Sequence, residues 1–136
     1  MTNKFLQYYM DIATRTSQLS HCKRRQVGAV LVSSDDSTII SYGYNGTPTN
    51  LDNCCEDLNG LTLPTVIHAE VNAITKAAKA GYSTLDTTLF VTLSPCIHCA
   101  LVIIQSGIKQ IYYKEQYKCT DSFDLFKQSG IDIKQL

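Results

Sequence analysis

Two short segments carry residue types whose spacing could do chemistry: His68-Ala69-Glu70 and Pro95-Cys96-Ile97-His98-Cys99. Cys96 and Cys99 stand three apart, so a first helical turn would aim both thiols at one point. A helix N-terminus also lowers a thiol's pKa and favours the thiolate that a metal ion needs. Two thiolates and the His68 imidazole suit tetrahedral zinc and leave its fourth position open. A structural zinc would fill that position with a fourth protein ligand, whereas a catalytic one keeps it for water. Glu70, two residues past His68, is placed to move protons for that water rather than to bind the metal. His98 would point away from the face shared by the two cysteines. A separate Cys-x-x-Cys would fit a core or redox pair equally well; the joint pattern predicts a hydrolytic zinc site.

These segments need elements to position them. Apolar residues Phe5, Leu6, Tyr9, Ile12, Ala13, Thr16 and Leu19 recur near a 3.6-residue period and predict an amphipathic helix over 3–19. Val27 to Val32 reads as a buried strand and Thr38 to Tyr44 as its hairpin partner. Asn45 to Asn50 is turn chemistry. Residues 50–66 form an aperiodic loop whose length suggests function rather than a linker. Ala69 to Ala80 is an alanine-rich helix capped by Gly81. A strand at 87–92, a helix at 96–106 opened by Pro95, a strand at 111–113, a helix at 121–129 and an edge strand at 131–133 complete the chain. A hairpin followed by helix–strand alternation predicts an α/β sandwich with a mixed sheet.

The 136 residues (15.1 kDa) fit one compact domain over 1–136. Folding would bury about two-thirds of the surface of the extended chain. An apolar share of 44% with 18% charged residues reads as globular. Twelve basic residues balance twelve acidic ones, and zero net charge argues against nucleic acid or an anionic membrane as a partner. No apolar run is long enough to span a bilayer, and Met1 to Met10 lacks the pattern of a secretory signal. The six cysteines therefore read as thiols or metal ligands rather than disulfides, and the chain as soluble and cytoplasmic.

Every fixed position of the His-x-Glu and Pro-Cys-x-x-Cys signature of zinc deaminases is present. With Val27-Gly28-Ala29-Val30, Gly43-Tyr44-Asn45-Gly46-Thr47-Pro48, His68 to Ile74 and Thr92 to Ala100, the sequence resembles the cytidine and deoxycytidylate deaminase superfamily. The likeness is closest to the deoxycytidylate (dCMP) deaminase branch and runs from Ser20 through Tyr117. It implies a three-layer α/β/α sandwich around a mixed five-stranded sheet. It also implies one catalytic Zn2+ held by His68, Cys96 and Cys99, and hydrolysis of dCMP to dUMP and ammonia with Glu70 as proton shuttle. By the same likeness Asn45 meets the substrate sugar, the Ala69 N–H the pyrimidine O2, and the Ser94 carbonyl the exocyclic amine. Ser20 and Arg24 are the preferred phosphate ligands, Lys23 and Arg25 are further candidates, and Tyr117 lies near the nucleotide. Each has a plainer counterpart: a solvated basic turn at 23–25, a turn asparagine at Asn45, a half-buried aromatic at Tyr117.

The dCMP branch further implies a homo-oligomer, a hexamer, activated by dCTP and inhibited by dTTP, with Mg2+ accompanying the allosteric triphosphate. Gly43, Tyr44, Asn45 and Gly46 resemble part of its allosteric motif. Some phage relatives carry a second, structural zinc near the positions of Cys22, Cys54 and Cys55. That site also uses inserted histidines, and no histidine lies between His21 and His68 here. Two other readings stay open: a deaminase of cytidine, deoxycytidine or another nucleobase, and a non-catalytic zinc-stabilised binding protein. Turnover dependent on Glu70 separates the last from the rest.

Overall fold

The computed structural model describes residues 1–136 and orders the chain as α1 (Asn3–Ser17), β1 (Gly28–Val32), β2 (Ile39–Tyr44), α2 (Ala69–Ala80), β3 (Thr88–Leu93), α3 (Ile97–Gln105), β4 (Gln110–Glu115), α4 (Asp121–Ser129) and β5 (Asp132–Gln135). Boundaries differ from the sequence expectation by at most two residues. The sheet runs β2-β1-β3-β4-β5. β1 is antiparallel to β2 and β3, while β3, β4 and β5 are mutually parallel. Connection length explains the mixture: a tight turn suffices for β1–β2, whereas each parallel step crosses over through a helix.

Alternation along the strands sorts the core into two layers. Ala29, Leu31, Leu89, Val91 and Ile111 face α2, α3 and α4, packing on Ala73, Ala77, Ile103 and Phe126. Val30, Val32 and Phe90 face the other way, onto Tyr9, Met10 and Ala13 of α1. The expected three-layer sandwich is thus present, with α1 alone on one side. No helix is long and apolar enough to cross a membrane.

Two glycines allow the helices to sit close. A Cβ at Gly28 would collide with the α1 backbone at Ala13 and Ser17, and one at Gly43 with the α2 backbone at Ala69 and Ala73. Gly43, singled out above as part of an allosteric motif, therefore has a packing task. It lets β2 lie against the start of α2, where His68 and Glu70 are placed.

One cysteine expectation is corrected. Cys22 and Cys55, both buried, form a disulfide with Cα atoms 5.2 Å apart, while Cys54, Cys96, Cys99 and Cys119 remain free. The bond arises because loop 50–66 folds back across the basic segment, a path that spacing along the chain does not encode. A crosslink spanning 33 residues is worth about 2–4 kcal/mol, so reductant should lower Tm. Thiol titration of the unfolded, metal-stripped protein should count four sulfhydryls before reduction and six after. Six before reduction would refute the bond.

Candidate active site

His68 and Cys96 occupy equivalent places, each the N-cap of a helix that starts at the same end of the sheet core. Both have extended backbone, at φ −69°, ψ 155° and φ −73°, ψ 171°, and neither side chain caps its own helix. Cys96 thus stands just before α3 rather than inside it, a correction to the expected start at 96; its extended ψ is incompatible with a helical turn. Cys99, at the third helical position, still shares its face. His68 Nδ1 lies 3.2 Å from Cys99 Sγ and 3.5 Å from Cys96 Sγ. All three donors fall within 4.8 Å of one another, and no fourth His, Cys, Asp or Glu joins them. Tetrahedral zinc, bonded at about 2.0–2.1 Å to nitrogen and about 2.3 Å to sulfur, would hold N and S about 3.6 Å apart. The donors fit such an ion.

Their protonation fits it too. The hydrogen bond from Cys99, and then that from His68, lowers the Cys96 thiol to about 3. The same contact, with burial, pushes Cys99 up, and the bond to Cys96 pushes His68 up. Metal binding would displace the protons these donors share. Glu70 is buried at 4% exposure, and its Oε2 accepts a hydrogen bond from Cys99 Sγ at 3.6 Å. Burial, the largest influence on it, pushes this carboxyl above the ordinary range.

The cluster opens into a cavity of about 500 Å3, a size suited to a small molecule. His68, Ala69, Glu70 and Cys96 line it together with Asn45 and Ser94. The basic segment contributes Arg24 and Arg25, the long loop Thr62 and Val66, and the stretch after β4 Gln116, Tyr117 and Lys118. Ala69 opens α2, so its N–H has no acceptor within the helix. Ser94 is buried, and its hydroxyl accepts the Tyr117 N–H at 2.7 Å, which fixes that half-buried tyrosine at the cavity.

Several expected site residues have other occupations. Asn45 Oδ1 accepts the Val27 N–H and its Nδ2 donates to the Arg25 carbonyl, both at 2.8 Å. The turn role is therefore real, and one amide hydrogen and one lone pair are left for a ligand. Ser20 does not line the cavity. It is buried, donating to the Asn45 carbonyl at 2.7 Å and accepting the Cys22 N–H at 3.2 Å. Lys23 also lies outside the lining, as do Gly43, Tyr44 and Gly46. The Tyr44 carbonyl accepts from Asn72 Nδ2 at 2.8 Å, and Lys76 stacks over the Tyr42 and Tyr44 rings. His98 is exposed, in keeping with its expected direction away from the two cysteines, and His21 is exposed as well. Lys118 was missed; its one sequence signal is adjacency to Tyr117.

A profile of the cytidine and deoxycytidylate deaminase zinc-binding region matches residues 3–115. Deoxycytidylate deaminase of Saccharomyces cerevisiae is 35% identical over 138 residues, covering 94% of this chain and 43% of its own length. ComE operon protein 2 of Bacillus subtilis is 37% identical over 136 residues, covering 96% of this chain and 70% of its own. The chain thus spans less than half of the yeast relative and about two-thirds of the bacterial one. A crystal structure of dCMP deaminase from cyanophage S-TIM5, in complex with dCMP and dUMP, superposes with a TM-score of 0.95 at 41% identity. That match covers 100% of this chain and 99% of the phage chain.

Proposed function

The chain belongs to the cytidine and deoxycytidylate deaminase family, and from that membership we propose that it hydrolyses dCMP to dUMP and ammonia. The observation that carries this reading is the site's three metal donors, not four, beside a buried carboxyl at the cavity wall. Zinc held there supplies a Lewis acid that makes water a nucleophile near neutral pH.

Glu70 takes the proton of the attacking water as its oxygen adds to C4 of the cytosine. It passes that proton to N3, then takes the second proton from the hydroxyl now on C4 and gives it to the departing amino nitrogen, so that C4–N breaks, C4=O forms and ammonia leaves. Burial raises this carboxyl's affinity for a proton, which suits a group that takes protons and passes them on. The free N–H of Ala69 donates to the pyrimidine O2, and the Ser94 carbonyl accepts from the amine. Asn45 offers its spare amide valences to a sugar hydroxyl. Arg24, with Arg25 and Lys118, binds the 5′-phosphate, for which a guanidinium fork is well shaped. This set replaces the expected Ser20, whose hydroxyl is already engaged. A hexamer, activation by dCTP with Mg2+, inhibition by dTTP and a cytoplasmic location accompany this reading on family likeness.

Kinetics with dCMP, CMP, dCTP, deoxycytidine and a single-stranded oligonucleotide test it, with and without dCTP or dTTP. The wild type should prefer dCMP strongly to deoxycytidine. A charge-assisted bond is worth roughly 1.5–3 kcal/mol, so Arg24→Ala should lower kcat/KM for dCMP by about 10–10²-fold. It should change the weak deoxycytidine reaction little. Equal efficiency of the wild type on both substrates would replace the monophosphate reading with nucleoside deamination.

A further inference from the structure

Between Ser20 and Val27 the chain forms neither helix nor strand, yet it must hold Arg24 and Arg25 at the cavity. Its two ends are tied by Asn45 and Ser20, through the hydrogen bonds already described and one from Gln26 Nε2 to the Ser20 carbonyl at 2.8 Å. The middle has a different anchor. Glu56 Oε1 accepts two successive backbone N–H groups, from Lys23 at 2.5 Å and Arg24 at 3.0 Å. Adjacent N–H groups converging on one anion form a nest, here filled by the protein's own carboxylate. The Cys22–Cys55 disulfide joins the same two strands of chain one residue away on each side. Glu56 also pairs with Thr62, a cavity-lining residue, through an isolated β-bridge. The only ion pair in the structure joins Lys134 to Asp132, so neither arginine is paired with a carboxylate.

We propose that Glu56 is a positioning residue for the phosphate end of the substrate. It does not line the cavity; it acts by locking the backbone at Lys23 and Arg24 so that the Arg24 guanidinium is held where a phosphate arrives. A carboxylate suits this task because charge-assisted bonds to two N–H groups resist the thermal motion of an irregular segment. Without that lock, Arg24 must be ordered on binding, and affinity for the phosphate falls while the chemistry at C4 does not change. The inference rests on the dCMP reading above.

Steady-state kinetics on dCMP and deoxycytidine, for wild type, Glu56→Ala, Glu56→Gln and each in an Arg24→Ala background, test it. Glu56→Ala should raise KM for dCMP about tenfold, the scale of one or two lost hydrogen bonds, with kcat within about twofold. Deoxycytidine efficiency should stay within about twofold of wild type, because no phosphate is present to be positioned. Glu56→Gln keeps an acceptor oxygen and should recover most of the loss. In the Arg24→Ala background, Glu56→Ala should add less than about twofold, since the two act as one unit. Equal losses on both substrates, or a full loss persisting without Arg24, would make Glu56 merely structural and overturn the proposal. A lower KM would overturn it as well, by showing that the carboxylate blocks a nest the phosphate prefers. If Glu56→Ala does not fold, Glu56→Asp, one methylene too short to hold both N–H groups, must still raise the dCMP KM selectively. The wild-type preference separates the two readings: without it the dCMP assignment fails and this one with it. With the preference intact and the Glu56 variants silent, only the positioning role fails.

Discussion

Glu70→Gln is expected to retain the fold and the zinc while losing about 10²–10⁴-fold in kcat, the usual scale of a general acid–base contribution. Because this one group serves several proton transfers, the upper end of that span applies. The fold should tolerate the change for a physical reason. Burial already pushes the carboxyl toward its neutral form, and a neutral amide of the same shape keeps the packing without a buried charge. The amide cannot take a proton from water at any working pH, so the loss falls on the chemical step and KM for dCMP should move little. Saturating kinetics at matched zinc content, with circular dichroism as a check on folding, measure this directly. Activity within a factor of a few of wild type would remove Glu70 from the mechanism. The same result would revive the reading of a zinc-stabilised protein whose carboxyl is inert.

Features set by local spacing were legible in the sequence. Glu70 is two residues from His68, and Cys99 three from Cys96, so each pair is held together by an extended N-cap residue and the first turn of the helix that follows it. That the two pairs meet across the chain was legible only through the family pattern, since nothing local brings His68 toward Cys96. The strands were readable for a related reason: Ala29 to Val32 and Leu89 to Val91 are continuous apolar runs because α1 covers one face and α2, α3 and α4 the other. What the sequence leaves unseen clusters where a partner lies far away in sequence. Ser20 beside Lys23-Arg24-Arg25 looks like an anion ligand, but the Asn45 carbonyl claims its hydroxyl. Gly43 looks like a strand glycine in a nucleotide motif, and the α2 backbone that requires it has no local signature. Cys22 and Cys55 meet by the course of an aperiodic loop. Lys118 and Glu56 are single charges on irregular segments, and such residues acquire meaning only when the fold shows what they face.

Cys99→Ala is expected to drop bound zinc from one equivalent per chain to well below one and to abolish turnover with it. The site has three protein donors, and removing one leaves only the Cys96 thiolate and the His68 imidazole, too few for a tightly held ion. The fold should survive, because Cys99 is a small residue among the sixteen of the larger core, and deleting one sulfur removes little packing. Metal analysis after exhaustive dialysis, beside a melting curve, gives the direct measurement. Cys119→Ala is the control: that thiol lies outside the donor group and its loss should leave zinc and activity unchanged. Thiol chemistry supplies a readout independent of turnover. Stripped of metal, Cys96 is held as a thiolate by its hydrogen bonds, so a chelator should make it quick to alkylate and added zinc should protect it. In Cys99→Ala the same concentration of zinc should protect far less. Equal zinc in wild type and variant would strike Cys99 from the ligand set. Zinc lost with activity intact would remove the metal from the reaction, and with it the deaminase reading of this cavity.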